Sequence, residues 1–325
     1  MTDSNDSNLS ILICTVRPNM ARHAIEAIRK QTIENWELIL VDQSHTNELS
    51  AYLAELADPR IRHIRDSGIG KSRAINLGLS VSKREIVACT DDDCVPRPDW
   101  AQQLIAAYAK NPSLCMVGGP VLPPENQPEN NSLIHCPQYR GGDFSWRGGD
   151  DCSDYILNKT VHGMMGANIS YRREVLLSKV GLFDTNLGPN TRYPSGEDRD
   201  ISIRIWRAGL PFSSISTAVV EHRYGTREGG EILRYLKIMH RSKGALAMKH
   251  LRLGDLTTYR HFLQQEGLFG GLSMVRAAVE RDLKLGPVGI LWPVSRISAF
   301  SFGMLDCMIA YGIDKDQKLL VKRGG

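Results

Sequence analysis

Residues 86–94 read Ile-Val-Ala-Cys-Thr-Asp-Asp-Asp-Cys, an apolar run that stops at three consecutive carboxylates, Asp91, Asp92 and Asp93. A short apolar run bounded by turn residues reads as a buried strand. Adjacent carboxylates repel one another, so a fold keeps them together at a strand end only when something neutralises them. The usual neutraliser is a divalent cation held through oxygen, often shared with a phosphorylated ligand. A solvated acidic turn is the competing reading, since Pro96 and Pro98 mark a loop just beyond. The triplet alone weighs evenly between the two, and the rest of the chain decides.

Working outward, strand and helix patterns alternate on both sides of the triplet. Leu9 to Cys14 is an apolar strand ending at Thr15, and Pro18 and Asn19 open a helix to about Gln31 with Ala24, Ile25 and Ile28 inside. Trp36 to Val41 is a second strand ending at Asp42, Glu48 to Ala57 a helix, and Ile61 to Arg65 a third strand. Ser67-Gly68-Ile69-Gly70 leads into a helix through Ser80, and another helix begins near Pro98. Strands separated by helices predict an α/β fold with a doubly wound, mostly parallel sheet. Ligands of such sheets bind beyond the carboxyl ends of the strands, where Thr15, Asp42 and Asp91 to Asp93 all fall.

A Pro-, Asn- and Gly-rich stretch, roughly 120–160, follows, with a small tandem at Arg140–Asp143 and Arg147–Asp150. A loop of that length is a binding loop, a lid or disordered. Beyond it, Gly166-Ala167-Asn168 precedes a strand-like run with Ile169 and Tyr171, and a helix starts near Arg173. Gly196-Glu197-Asp198 opens a helix that stops at Gly209, with Arg204 and Arg207 at its negative end. Ile215 to Val220 is expected as the last strand, ending at Glu221 and His222.

The chain has 325 residues, 42% hydrophobic, enough for one large domain with an appendage. Residues 1–8 are polar and expected to be disordered, with neither the basic start nor the apolar core of a signal peptide. Seven scattered cysteines form no CxxC pair or zinc-like cluster, which predicts a reduced cytosolic compartment. A bridge between Cys136 and Cys152 is the lesser alternative. The net charge of +4 conceals an asymmetry: from Arg223 onward 17 basic and 9 acidic residues give +8, and the preceding 222 residues give −4. A basic tail suggests an anionic surface. Membrane is favoured over nucleic acid, because no zinc-finger, basic-zipper or RNA-recognition motif is present. Residues 225–325 read as a basic, amphipathic helical extension to a domain spanning 9–224. Within it Ile232, Tyr235, Leu236 and Met239 share one helical face, and Arg234, Lys237 and Arg241 another. Leu285 to Ile313 is apolar but interrupted, and reads as an interfacial or buried helical pair, too short of uncharged residues to span a bilayer.

Taken in order, TVRPN (15–19), VDQS (41–44), GIGKSRAINLGL (68–79), TDDDC (90–94), GANISYRRE (166–174), GEDRD (196–200) and EHRYG (221–225) resemble the family-2 glycosyltransferases. These are inverting enzymes with the nucleotide-diphosphosugar-binding fold called GT-A, and the resemblance covers Leu9 to Tyr224. Each motif alone is weak, but seven in order are specific. The resemblance implies a nucleotide-diphosphate sugar as donor, a hydroxyl acceptor, and Mn2+ or Mg2+ as cofactor. Asp91 and Asp93 match the family's Asp-x-Asp motif, Asp93 as metal ligand and Asp91 toward the ribose or metal-bound water, with Asp92 between them at the donor. His222 matches a further metal or diphosphate contact. Asp42 matches the acidic residue that bonds base or ribose, Thr15 and Arg17 line the base pocket, and Asn168 faces the donor sugar. Many relatives carry Arg just before the residue matching Asn76. This chain has Ile75 there, so that role passes to Arg73 or Lys71.

Inversion at an anomeric carbon needs a base to take the acceptor hydroxyl's proton. Glu197 and Asp198 match the family's acidic pair, with Asp198 as base. Two acids at a helix start also suit the helix dipole alone, but the preceding glycine permits close approach of a ligand. The basic amphipathic tail suggests an acceptor met peripherally at the inner, cytosolic membrane face, a lipid-linked glycan, polysaccharide or glycolipid. A sugar nucleotidyltransferase would bring a glycine-rich basic phosphate loop near its start, which TVRPN is not. A non-catalytic nucleotide-sugar-binding protein is weakened by the intact acids.

Overall fold

The computed structural model describes residues 9–124, 134–135, 139–146, 157, 164–223, 227–228, 230–266 and 287–323. The expected disordered start (1–8), the second half of the Arg-Gly-Gly-Asp tandem (147–150), and Cys136 and Cys152 lie outside these residues.

Side chains alternating along strands buried on both faces build the centre of the molecule. In β1 (Leu9–Thr15), Leu9, Ile11 and Ile13 join one apolar layer and Leu12 the other. In β2 (Trp36–Asp42), Leu38 and Leu40 join the first layer, Ile39 and Val41 the second. The first layer packs on α1 (Pro18–Arg29), whose Pro18 suits a helix start. The element order continues with α2 (Glu48–Leu56), β3 (Ile61–Arg65), α3 (Lys71–Val81), β4 (Ile86–Asp91), β5 (Cys94–Pro96) and α4 (Trp100–Lys110). Then come β6 (Met116–Gly118), β7 (Val121–Leu122), β8 (Ile134–His135), β9 (Phe144–Trp146) and β10 (Asn168–Arg172). The main sheet has eight strands, ordered β3-β2-β1-β4-β10-β6, then β11 (Phe212–Ser214) and β9. β1 to β4 are parallel, and β10 runs antiparallel to both neighbours. Expectation and structure agree on the mostly parallel, helix-flanked α/β sheet.

The expected last strand, Ile215 to Val220, divides. β11 lies in the main sheet, a turn follows at 216–217, and β12 (Val220–His222) joins a second sheet ordered β5-β12-β7. Asp143 Oδ1 accepts the Ser216 backbone N–H at 2.7 Å and holds that turn. Similarly, the Pro-marked loop after the aspartates contains β5, antiparallel to β12 with Cys94 opposite His222. The helix expected from Arg173 is one short turn, Arg173–Val175, that runs into a π-turn at Leu176–Val180.

Next in order are α5 (Glu197–Arg207), β13 (Arg227–Glu228, paired with β8), α6 (Gly230–Arg252), α7 (Leu256–Glu266) and α8 (Pro287–Ala310). The helical pair expected between Leu285 and Ile313 is, in the described residues, the single helix α8. It leads into a hairpin absent from the sequence reading, β14 (Tyr311–Asp314) with β15 (Leu319–Lys322). Its turn is made locally: Asp314 Oδ1 accepts the backbone N–H groups of Asp316 and Gln317, and Lys318 takes a positive φ of 57°. α6 and α8 approach closely, because a Cβ on Gly244 would lie 2.0 Å from the Phe300 carbonyl oxygen, and one on Gly303 2.0 Å from that of Arg241.

The second apolar layer is continuous with these C-terminal elements: Ile201 and Ile205 of α5 share a cluster with Leu246, Phe262, Phe300, Tyr311 and Leu320. Lys249 is fully buried, its Nζ 2.8 Å from Asp184 Oδ2 and 2.9 Å from Asp200 Oδ2. Arg204 Nε reaches Asp200 at 2.9 Å, and the Leu320 backbone N–H reaches Asp184 at 2.8 Å. Glu266, also buried, accepts from His240, Lys243 and Arg296. Part of the tail's positive charge therefore faces inward. Among the described residues no helix is long and apolar enough to cross a membrane.

Candidate active site

The carboxyl ends of β1 and β4 and the amino ends of α3 and α5 open on one cleft of about 650 Å³. Thr15, Arg17, Lys71, the three aspartates, Glu197, Asp198 and His222 all line it. Repulsion within the aspartate triplet is relieved by local cations and hydrogen bonds. Asp92 is buried, accepting from Thr15 Oγ1 at 2.7 Å and from the Arg17 guanidinium. Arg17 also donates to Asp93 Oδ2 at 2.8 Å. Lys71, at the start of α3, is bonded to Asp91, and its Nζ lies 3.9 Å from Glu197 Oε1. Burial pushes the Asp92 carboxyl above its ordinary range. Burial acts on Asp93 the same way, but the charges of His222 and Arg17 outweigh it and hold Asp93 below that range. Burial would lower Lys71, yet Asp91 and Glu197 keep its ammonium well above the ordinary value.

The β5–β12 register brings His222 to Asp93, with Nε2 3.7 Å from Oδ1. Asp93, Cys94 and His222 offer ligand atoms that all lie within 4.8 Å of one another. An ion bonded at about 2.1 Å to both the carboxylate oxygen and the imidazole nitrogen is compatible with that separation. Cys94 fits less well: burial raises its thiol well above the ordinary value, and the thiolate is the ligating form. The donor set that fits is Asp93 with His222.

α5 begins at Gly196, whose φ of +101° turns the chain so that Glu197 and Asp198 stand at the helix mouth. That left-handed turn is the structural use of the glycine. Asp198 is half-exposed to the cleft, and its oxygens accept the backbone N–H groups of Gly166 (3.0 Å) and Arg199 (2.8 Å). A carboxylate so held, open to the cleft and oriented by fixed donors, can accept a proton from a ligand. Glu197 points inward, and burial, with Asp198 beside it, raises its carboxyl to about 7. A raised folded value means the unfolded chain gives up this proton more readily, so stability declines as pH climbs from about 4.5 through 7. We expect Glu197→Gln, which cannot ionise, to be more stable than the wild type at pH 8, by on the order of 3 kcal/mol, and nearly equal at pH 5. Urea unfolding at both values checks this, and an equal difference at both would contradict it.

Three expected donor residues are not cleft-lining. Asn168 is fully buried: its Oδ1 accepts from Trp100 Nε1 at 2.8 Å, and its Nδ2 donates to the carbonyls of Pro120 and Ala218. Its amide capacity is taken up in tying the two sheets together, and Gly166 and Ala167 line the cleft instead. Asp42 is likewise buried, with His63, Arg65 and the Ser44 N–H on its oxygens, and Gln43 takes the cleft position. Arg73 turns to Asp66, so of the two cations considered, Lys71 is the one that reaches the cleft. Sequence reasoning missed another part of the lining, formed by Pro189, Asn190, Pro194 and Ser195 and by Arg227, Tyr235 and Met239. Tyr235 and Met239 carry the helical apolar periodicity, which does not distinguish a core face from a cleft wall.

Residues 10–178 match the family described as Glycosyl transferase family 2. The chain is 28% identical over 205 residues to a glucosyl-dolichyl phosphate glucuronosyltransferase of Haloferax volcanii, covering 61% of this chain and 63% of that protein. It thus spans under two thirds of that relative's length. Two solved structures share the fold. Mannosyltransferase PcManGT from Pyrobaculum calidifontis, in complex with GDP-Man and Mn2+, superposes with a TM-score of 0.56 at 14% identity, covering 93% of this chain and 87% of that one. S. aureus TarS 1-349 in complex with UDP-GlcNAc gives 0.57 at 13% identity, with 98% and 97% covered.

Proposed function

The chain belongs to glycosyl transferase family 2, and on that premise we propose that it is an inverting, metal-dependent glycosyltransferase using a nucleotide-diphosphate sugar. The observation that carries this reading is that one cleft is lined by two kinds of group: an oriented carboxylate, Asp198, and the Asp93–His222 pair with Arg17 and Lys71. The first suits a base, the second the charge of a diphosphate. Asp93 and His222 would hold the cation, and an imidazole in the donor set favours Mn2+ over Mg2+. When bound, the cation supplies Lewis-acid stabilisation of the departing diphosphate.

This chain's own side chains supply the rest. Arg17 clamps Asp92 and Asp93 in place, and Thr15 fixes the Asp92 carboxylate. Lys71 is a fixed positive charge at the junction of Asp91 and Glu197. The acceptor hydroxyl oxygen forms the new bond to the anomeric carbon as the bond to the diphosphate breaks, and Asp198 takes the hydroxyl proton. We place the acceptor among lipid-linked glycans, polysaccharides or glycolipids at the cytosolic face of a membrane. The Haloferax relative's name, with its dolichyl phosphate, supports the lipid-linked class.

Incubation with UDP-, GDP- and dTDP-sugars plus Mn2+ tests the reading by release of nucleoside diphosphate. Pyrophosphate release from a nucleoside triphosphate would instead mark a nucleotidyltransferase. Asp93→Ala should abolish the metal-dependent release, by about a hundredfold or more, with its circular dichroism unchanged. If neither EDTA nor Asp93→Ala alters the release, the metal assignment fails.

A further inference from the structure

Helix α8 buries Phe300, Gly303 and Cys307 against α6, and turns Ser298, Ser301, Phe302, Leu305, Met308 and Ile309 outward. That outward face carries no charge, and its large side chains are well exposed: Phe302 55%, Leu305 49%, Met308 43% and Ile309 64%. Val321, on the hairpin that follows the helix, is 51% exposed. Nine large apolar side chains are this exposed among the described residues, and four of them lie on this one helix face. Scattered exposed apolar residues need no explanation, but a contiguous ridge does.

Cations frame it. The Arg241 guanidinium lies 5.1 Å from the centre of the Phe302 ring, and Arg192 and Arg241 share the carboxylate of Asp306. Arg252 donates to the Met308 carbonyl at 2.8 Å, at the end of the helix. Exposed Lys322 and Arg323 follow, Lys322 paired across the hairpin with Tyr311 and Arg323 bonded through its backbone N–H to Ala310. Two of these five cations, Arg192 and Arg241, are paired with Asp306, and the hairpin's turn adds Asp314 and Asp316 balanced by Lys315 and Lys318, so the surplus around the helix face is positive.

We infer that this ridge is the surface by which the protein lies on a bilayer of anionic lipid, Phe302, Leu305 and Ile309 entering the interface and the surrounding cations meeting the headgroups. Apolar insertion and cationic attraction are the two components of peripheral binding, and here they coincide on one face. A second copy of the chain fits less well, because a two-fold contact through the ridge would set the same cations against themselves. The ridge also adjoins the cleft. Pro194 and Ser195 line the cleft, and their neighbours Arg192 and Tyr193 grip Asp306 of α8. Met239 lines it as well, two residues before Arg241. A protein seated on the ridge would hold the cleft mouth near the headgroups.

This inference deepens the proposed membrane contact by naming its face, and it is tested without a donor sugar. The full chain is sedimented with vesicles of phosphatidylcholine alone or mixed with phosphatidylglycerol, at low and high salt. We expect at least about tenfold more protein to pellet with the anionic vesicles, with release at high salt. The triple variant Phe302→Ser, Leu305→Ser, Ile309→Ser removes the apolar face and should lose about tenfold in binding while keeping the wild-type circular dichroism and a cooperative melt. Lys322→Glu with Arg323→Glu should weaken binding by reversing charge without touching the apolar face. Wild type that does not pellet at low salt overturns the ridge and the membrane contact together. Wild type and variants pelleting equally overturn the ridge alone. A wild-type dimer that the triple variant dissociates, with no pelleting, assigns the face to a second copy. Diphosphate release measured without vesicles reports separately on glycosyl transfer.

Discussion

Asp198→Asn should lower turnover by about two orders of magnitude or more, the usual scale for loss of a general base, with donor affinity nearly preserved. Asp198 is the acid at the mouth of α5 that faces the cleft while both its oxygens are oriented by backbone N–H groups. An asparagine keeps the shape but cannot take the acceptor proton. Its amide can accept from only one of the two backbone donors and sets its own N–H groups against the other, so a modest stability loss accompanies the catalytic one. Calorimetric titration of the donor, together with kcat, separates the two effects. Equal loss of donor affinity would make Asp198 a binding residue.

Lys249→Ala should cost about 3–5 kcal/mol of stability, the scale for breaking a buried ion pair by removing one partner. Lys249 is completely enclosed, and its ammonium is shared by Asp184 and Asp200, both also buried. Burial alone would raise the Asp200 carboxyl, but Arg204 and Lys249 override it and hold it far below the ordinary range. A depressed folded value contributes stability above the unfolded value near 4, and that contribution is lost as pH falls toward the folded one. The deficit of the variant should therefore be largest at neutral pH and shrink under acid, which urea midpoints at pH 7 and pH 3 would show. Because Lys249 anchors α6 to α5, whose first turn carries Glu197 and Asp198, survivors of the substitution should also lose kcat more than donor affinity. A deficit under about 1 kcal/mol would mean that Arg204 and His250, whose Nε2 lies 3.3 Å from Asp200 Oδ1, suffice for Asp200.

Much of this was legible because some physical signals are local. The strands containing Ile11, Leu38 and Val87 are buried on both faces, so their sequences are continuous apolar runs and their ends stand out. Asp91 to Asp93, Thr15 and the Glu197-Asp198 pair fall at strand and helix ends that face one another in the cleft. Other signals were local but ambiguous. Tyr235 and Met239 keep a helix's apolar period whether the face meets core or cleft, and Asn168 follows a motif that does not say which way its amide turns. The tail's positive charge was legible as a sum, but not as the separate fates of Lys249, paired inside with Asp184 and Asp200, and of Lys322 and Arg323, left outside beside an apolar ridge.

By itself, then, the sequence determined the parallel α/β frame, its family, and the acidic groups set at its rim, because continuous apolar runs and strand-end chemistry are written between near neighbours. Only the tertiary structure decided which of those groups meet. Asp93 finds His222 through the register of two three-residue strands, Lys71 rather than Arg73 takes the cleft because Asp66 holds Arg73, and Asn168 turns inward because Trp100, Pro120 and Ala218 satisfy its amide. Each of these pairings rests on partners distant in the chain except Arg73 with Asp66, and even that one competes with a cleft no local pattern describes. A hydrogen bond or ion pair is settled by distance and desolvation in three dimensions, and those are set by the packing of the whole chain.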